Sequence, residues 1–217
     1  MTDTHEDVRL HSRRTAYSGA ISDMVVDSFT LPGHDAALQR EYLQHPGAVG
    51  IIALDADDRV LVINQYRHPV GMRLWEVPAG LLDVDGEPPH IAAARELAEE
   101  ADLEVGRLDL LVEWFSSPGI SDEALRVYVA RDCTPVPDAD KHERTGEERD
   151  IVTGWVPLDD VVDAVLSGSA HNPTLVVASL AAAAAKRRGW TTLRPADSPW
   201  PARPLPSRDP GASDRAE

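Results

Sequence analysis

Three glutamates, Glu96, Glu99 and Glu100, crowd into the short segment AARELAEEADL. On a helix, about 100° of rotation per residue sets them within roughly a 100° arc, with Glu96 and Glu100 one turn apart. Like charges at that spacing repel by roughly 0.2–0.5 kcal/mol, so either water screens them or something positive sits between them. Carboxylates one turn apart can point at the same or adjacent ions, and hard cations such as Mg²⁺ and Mn²⁺ prefer oxygen ligands. A solvated acidic helix face is the other reading of the same three residues.

The charge balance bears on the partner. Lys and Arg number 21 against 37 Asp and Glu, a formal charge of −16, so a nucleic-acid backbone or an anionic membrane is repelled overall. An anionic substrate then needs a local positive charge, which a bound divalent metal supplies. Cys133 is the sole cysteine, which excludes an intrachain disulfide or a one-chain cysteine cage for zinc and suits a reducing cytoplasm. The first residues lack the apolar core of a secretory signal, and the longest apolar run, Leu175 to Ala185, is too short to span a bilayer. With Lys186, Arg187, Arg188 and Gly189 after it, that run reads as a helix with a C-terminal stop.

Other elements must position the glutamates. MVVDSFTL and LQREYLQH, split by Pro32-Gly33, predict a strand pair; GAVGIIALDADDRVLVINQYRHP predicts a hairpin about Asp55–Asp58. A third strand, LWEVPAG, turns into a loop at Pro78 and Gly80. Pro88 and Pro89 start a helix running to about Asp102, whose apolar positions Ile91, Ala94, Leu97, Ala98 and Ala101 gather away from the glutamates. LDLLVEWF, ALRVYVA and IVTGWVPL predict further strands, with the exposed loop PVPDADKHERTGEERD before the last of them and a helix over Asp159 to Leu166 after it. From Arg194 onward Pro, Ser, Arg and Asp dominate without periodicity, which predicts a disordered tail.

The setting AGLLDVDGEPPHIAAARELAEEADL resembles the Nudix box. Glu87, Arg95, Glu96, Glu99, Glu100 and Leu103 fall at its spacing. Two positions depart from it: Gly80 precedes Glu87 by one residue more than usual, and Asp102 stands where a glycine usually ends the helix, although Asp enters the left-handed region more readily than most residues. Upstream QYRHP and RLWEVPAG, and Pro118 fifteen positions after Leu103, resemble the ADP-ribose pyrophosphatase subgroup.

The resemblance implies a mixed α/β Nudix fold: a mixed sheet between helices over residues 46–190, a β extension over 1–45 that pairs subunits into a homodimer, and a Pro-rich tail over 191–217. It implies Mg²⁺, with Mn²⁺ as the alternative, held by Glu96, Glu99, Glu100 and the Ala79 carbonyl, with Gly80, Glu87 and Arg95 supporting the site. The general base comes from the loop HERTGEERDI, Glu147 first and Glu148 second. Arg67 is either a phosphate contact or half of a surface salt bridge, and Asp122 and Glu123 are candidates for ribose or adenine contact. His68, His90, His142 and His171 lack metal-ligand spacing. The implied reaction is metal-dependent hydrolysis of ADP-ribose to AMP and ribose 5-phosphate in the cytoplasm. Another nucleoside diphosphate sugar such as GDP-mannose, or a sensor that binds ADP-ribose without cleaving it, are the alternatives.

Overall fold

The computed structural model describes residues 1–144 and 149–203. The chain divides into two compact units, one of Met1–Gly47, Phe115–Ala124 and the segment from Ala202, the other of Ala48–Trp114 and Leu125–Pro201.

The first unit is built on a three-stranded antiparallel sheet, β1 (Arg9–Ser18), β2 (Asp23–Thr30) and β3 (Leu38–Gln44), with β2 in the middle. The β2–β3 pair is the one predicted from its apolar bursts. β1 escapes a sequence reading because nine of its ten residues are exposed, so no alternation marks it. Its bond to β2 is reinforced by Arg13, which donates to both Asp27 oxygens at 2.7 and 2.5 Å and to the Tyr42 hydroxyl at 2.7 Å. Burial pushes the Tyr42 hydroxyl up to about 12.

In the second unit β4 (Ala48–Ala53) and β5 (Arg59–Arg67) do not form the predicted hairpin ladder. The Asp55 side chain does close the turn, accepting from the N–H groups of Asp57 and Arg59. Beyond a single Leu54–Val60 bridge the strands part into different sheets. The reason lies in their burial: all of β4 and most of β5 are covered, and β4 finds its partners far along the chain. It pairs in parallel with β10 (Ala124–Arg131) and antiparallel with β7 (Ala79–Leu81), inside a mixed sheet ordered β13-β9-β10-β4-β7 with β9 at Arg107–Phe115 and β13 at Arg194–Pro195; the short strands β8 (Leu103–Glu104) and β11 (Thr134–Pro135) pair with each other. β5 pairs instead with β6 (Met72–Glu76) and β12 (Val152–Pro157).

Alternate residues of β4 feed opposite cores. Val49, Ile51 and Ala53 pack with Ala92, Ala93 and Leu97 of helix α1 (Pro89–Ala101), while Ile52 joins Leu175, Ala178 and Ala182 of helix α3 (Pro173–Arg187) and Val161 of α2 (Leu158–Leu166). A mixed sheet between helices results, as the family resemblance implied. The α1 face differs from the prediction: Ala92, Ala93, Leu97 and Glu100 are its buried residues, and Ile91 is exposed. One glutamate therefore belongs to the buried face.

The end of the second unit also differs from the predicted disorder. β13 (Arg194–Pro195) pairs with β9, and Trp200 packs on the α1-side core with the Arg126 guanidinium 4.6 Å from its ring centre. Arg126 is 2% exposed and donates to Glu113 and to the carbonyls of Ser198 and Pro199. A proline-rich segment lacks a core of its own, and here a buried arginine supplies one.

Candidate active site

Pro88 caps α1 at its start and Pro89 opens its first turn, their fixed φ suiting the helix entry. At the other end Asp102 takes the left-handed conformation, φ 54°, in place of the usual glycine, and its N–H reaches Ala98 O. Arg144 anchors this end, donating to the Asp102 carboxylate at 2.7 Å and to Glu99 O at 3.0 Å. The helix thus keeps its full length through Glu99 and Glu100.

The positive group among the glutamates is Arg95. Its guanidinium donates to both Glu87 oxygens at 3.1 and 3.0 Å, to Glu96 at 2.7 Å and to Glu99 at 3.1 Å. The bidentate pair holds the loop carboxylate on the helix, and it keeps the Glu87 carboxyl below its ordinary value. The same contacts, with Glu87 first among them, raise Arg95 further. One guanidinium shared by three carboxylates neutralises at most one of their charges.

Glu100, 5% exposed, accepts from the Ala79 N–H at 2.8 Å and so ties the last turn of the helix to β7. Glu96 lies directly against Gly80. A Cβ there would stand 1.9 Å from Glu96 Cδ and 2.1 Å from Oε1, so only glycine leaves room for this carboxylate. Arg67 donates to both oxygens of buried Glu76 at 2.8 and 2.6 Å. Arg67, Ala79, Gly80, Arg95, Glu96, Glu99 and Glu100 line one cavity of about 390 Å³, together with Gln65, Leu81 and Asp83.

Asp122 and Glu123 belong to the first unit, where Asp122 accepts from the His45 N–H at 2.8 Å and Glu123 stands 3.7 Å from His45 Nε2. Burial pushes the Asp122 carboxyl up. Glu147 and Glu148 lie outside the described residues. Gln65, Glu76 and Arg144 are the residues sequence reasoning passed over. A signal existed for Glu76, the single charge at the end of the strand LWEV, and for Gln65, which the strand period sets on the Arg67 side.

The oxygen-bearing side chains of the cavity are the carboxylates of Asp83, Glu96, Glu99 and Glu100 and the Gln65 amide, with no thiol or imidazole among the described residues lining it, which is the chemistry a hard divalent cation takes. The Glu96 carboxylate occupies the space that a side chain at position 80 would take. In this arrangement Arg95 and the Ala79 N–H hold the carboxylates, and no three His, Cys, Asp or Glu side chains among the described residues converge as a ligand group.

A sequence model of the NUDIX domain matches residues 44–176, a span containing every residue of this cavity. The chain is 40% identical over 198 residues to the ADP-ribose pyrophosphatase of Mycobacterium tuberculosis, covering 91% of this chain and 93% of that one. It is 29% identical over 161 residues to the ADP-ribose pyrophosphatase of Bacillus subtilis, covering 74% and 84%. Among solved structures, that of an ADP compounds hydrolase superposes with a TM-score of 0.70 at 18% identity, over 87% of this chain and 99% of that one, a likeness of fold. On its loop, its carboxylate helix and these matches, the chain belongs to the NUDIX domain family.

Proposed function

We propose that this protein hydrolyses the diphosphate of ADP-ribose, adding water across the P–O–P bridge to release AMP and ribose 5-phosphate. The observation that carries the substrate is the 40% identity running along nearly the whole of both chains to an ADP-ribose pyrophosphatase. The chemistry is supported by the cavity, where the four carboxylates of Asp83, Glu96, Glu99 and Glu100 and the two guanidinium groups of Arg67 and Arg95 gather beside Ala79 and Gly80 on helix and strand.

Glu96, Glu99 and Glu100, with the Ala79 carbonyl, would hold the metal, Mg²⁺ by preference and Mn²⁺ in its place. When bound, the metal offsets phosphate charge and makes water a better nucleophile. Arg95 keeps the Glu87 loop on the helix while the metal ligands are engaged. Arg67, its fork held by both oxygens of Glu76, contacts a phosphate oxygen. Glu147, with Glu148 as the second choice, takes the proton from the attacking water. Asp122 and Glu123 contact the nucleoside, in a homodimer built through residues 1–45. The catalytic part takes in residues 46–190 together with the stretch through Pro201 that packs on it, which moves the start of the tail past the expected 191. We assign the protein to the cytoplasm on its single cysteine, Cys133, which suits a reducing compartment.

Product release from ADP-ribose, GDP-mannose, UDP-glucose and NADH, each with Mg²⁺, Mn²⁺ or chelator, tests this reading. Metal-dependent cleavage favouring ADP-ribose is expected. Preference for GDP-mannose would move the substrate within the family, and binding of ADP-ribose with no cleavage would make the protein a sensor.

A further inference from the structure

Gln65 is the one buried side chain of the cavity to which the proposed chemistry gives no work. It lies in β5 two positions before Arg67, and the two-residue period of a strand sets both on the side opposite exposed Tyr66. Its residue is 6% exposed, it lines the cavity with Arg67, Glu96 and Glu100, and its Oε1 has no hydrogen-bond partner among the described residues. A buried acceptor left without a donor is costly, and in native proteins nearly all such groups are paired. A donor that enters with the ligand removes that cost.

The chemistry of the donor follows from the atom. A carbonyl oxygen accepts and does not donate, so an ionised diphosphate oxygen cannot satisfy it, whereas an O–H can. Two O–H sources belong in a cavity that holds a divalent cation and a nucleoside diphosphate sugar: a water on the cation, polarised into a strong donor, and a ribose hydroxyl of the substrate. Resting on the ADP-ribose reading for the second source and on the metal for the first, we propose that Gln65 is a ligand-binding residue. Its Oε1 accepts a hydrogen bond from an O–H group that arrives with the cation or with the sugar.

The test is Gln65→Met, close in volume and without an acceptor for a strong hydrogen bond. Three readouts are needed: thermal melting without metal, calorimetric titration with Mn²⁺ alone, and titration with ADP-ribose in chelator, where no turnover occurs. The expected result is an unchanged or raised melting temperature with affinity lowered about tenfold, a loss of the size metal-supporting contacts give. Loss in the Mn²⁺ titration identifies the cation's water, and loss in the ADP-ribose titration identifies the ribose hydroxyl. If both affinities stay within twofold of the parent, or if the variant melts several degrees lower or fails to fold, Gln65 is a structural residue and the proposal is overturned. Should the parent protein leave ADP-ribose uncleaved while Gln65→Met still loses Mn²⁺ affinity, the substrate reading fails and the role of Gln65 stands.

Discussion

Gly80→Ala separates the geometry of the site from the stability of the fold. Gly80 does not occupy the left-handed region, so alanine meets no backbone strain there. Its Cβ would stand 1.9 Å from Glu96 Cδ and 2.4 Å from Cγ, whereas carbon atoms rest about 3.5–4.0 Å apart. Glu96 is a flexible side chain and can yield, but its carboxyl carbon must retreat by roughly 2 Å to do so. The smaller conformational entropy that alanine leaves to the unfolded chain offsets part of the crowding, which keeps the expected stability change within about 1 kcal/mol. Catalysis has no such tolerance, since a misplacement of about 1 Å in a reacting constellation costs on the order of 100-fold. The expected outcome in Mg²⁺ with ADP-ribose is a kcat at least 100-fold lower at a nearly unchanged melting temperature. Gly154→Ala is the control, a position in β12 with nothing within 4 Å of an added Cβ. A Gly80→Ala kcat within about threefold of the parent would refute the placement of Glu96 as a ligand.

Three further substitutions probe the supports. Glu87→Gln should lower stability at neutral pH. Because the folded-state carboxyl titrates below its ordinary 4.5, the stability gap to the parent should close as pH falls below that value, as followed by thermal melts. For Tyr42 the sign reverses: its hydroxyl keeps its proton to about 12 in the fold against 10.0 ordinarily, so the advantage of the parent over Tyr42→Phe should shrink as pH rises from 10 to 12 in chemical denaturation. Trp200→Ala should cost about 1–3 kcal/mol by urea denaturation, from lost packing and the lost Arg126 contact; no loss would mean that the proline-rich segment does not contribute to the second unit.

The carboxylate helix was legible because its signals are local. Pro88 and Pro89 mark its start, Asp102 its end, and the glutamates recur at helical spacing. Its buried face was misread, since hydrophobic periodicity treats every glutamate as outward, and Glu100 is buried to reach the Ala79 N–H. The hairpin failed for a complementary reason. The turn at Asp55 is local and forms, but the ladder of β4 is decided by β10 and β7, which no short window of sequence contains. The Arg67–Glu76 fork was invisible in the same way, because it spans two strands whose register had first to be known. The tail shows what composition omits: proline and serine predict no self-made core, and give no sign of a buried arginine waiting on β10.

The most direct measurement is AMP release from ADP-ribose by the parent protein and by Glu100→Gln, each with Mg²⁺ and with chelator. The amide oxygen of Gln can still accept from the Ala79 N–H, so the fold should hold while one ligand charge is lost. The predicted result is turnover that needs metal in the parent and falls by more than about 100-fold in Glu100→Gln at an equal melting temperature. Turnover that survives the substitution, or survives chelator, would contradict the assignment of these glutamates as the metal cradle.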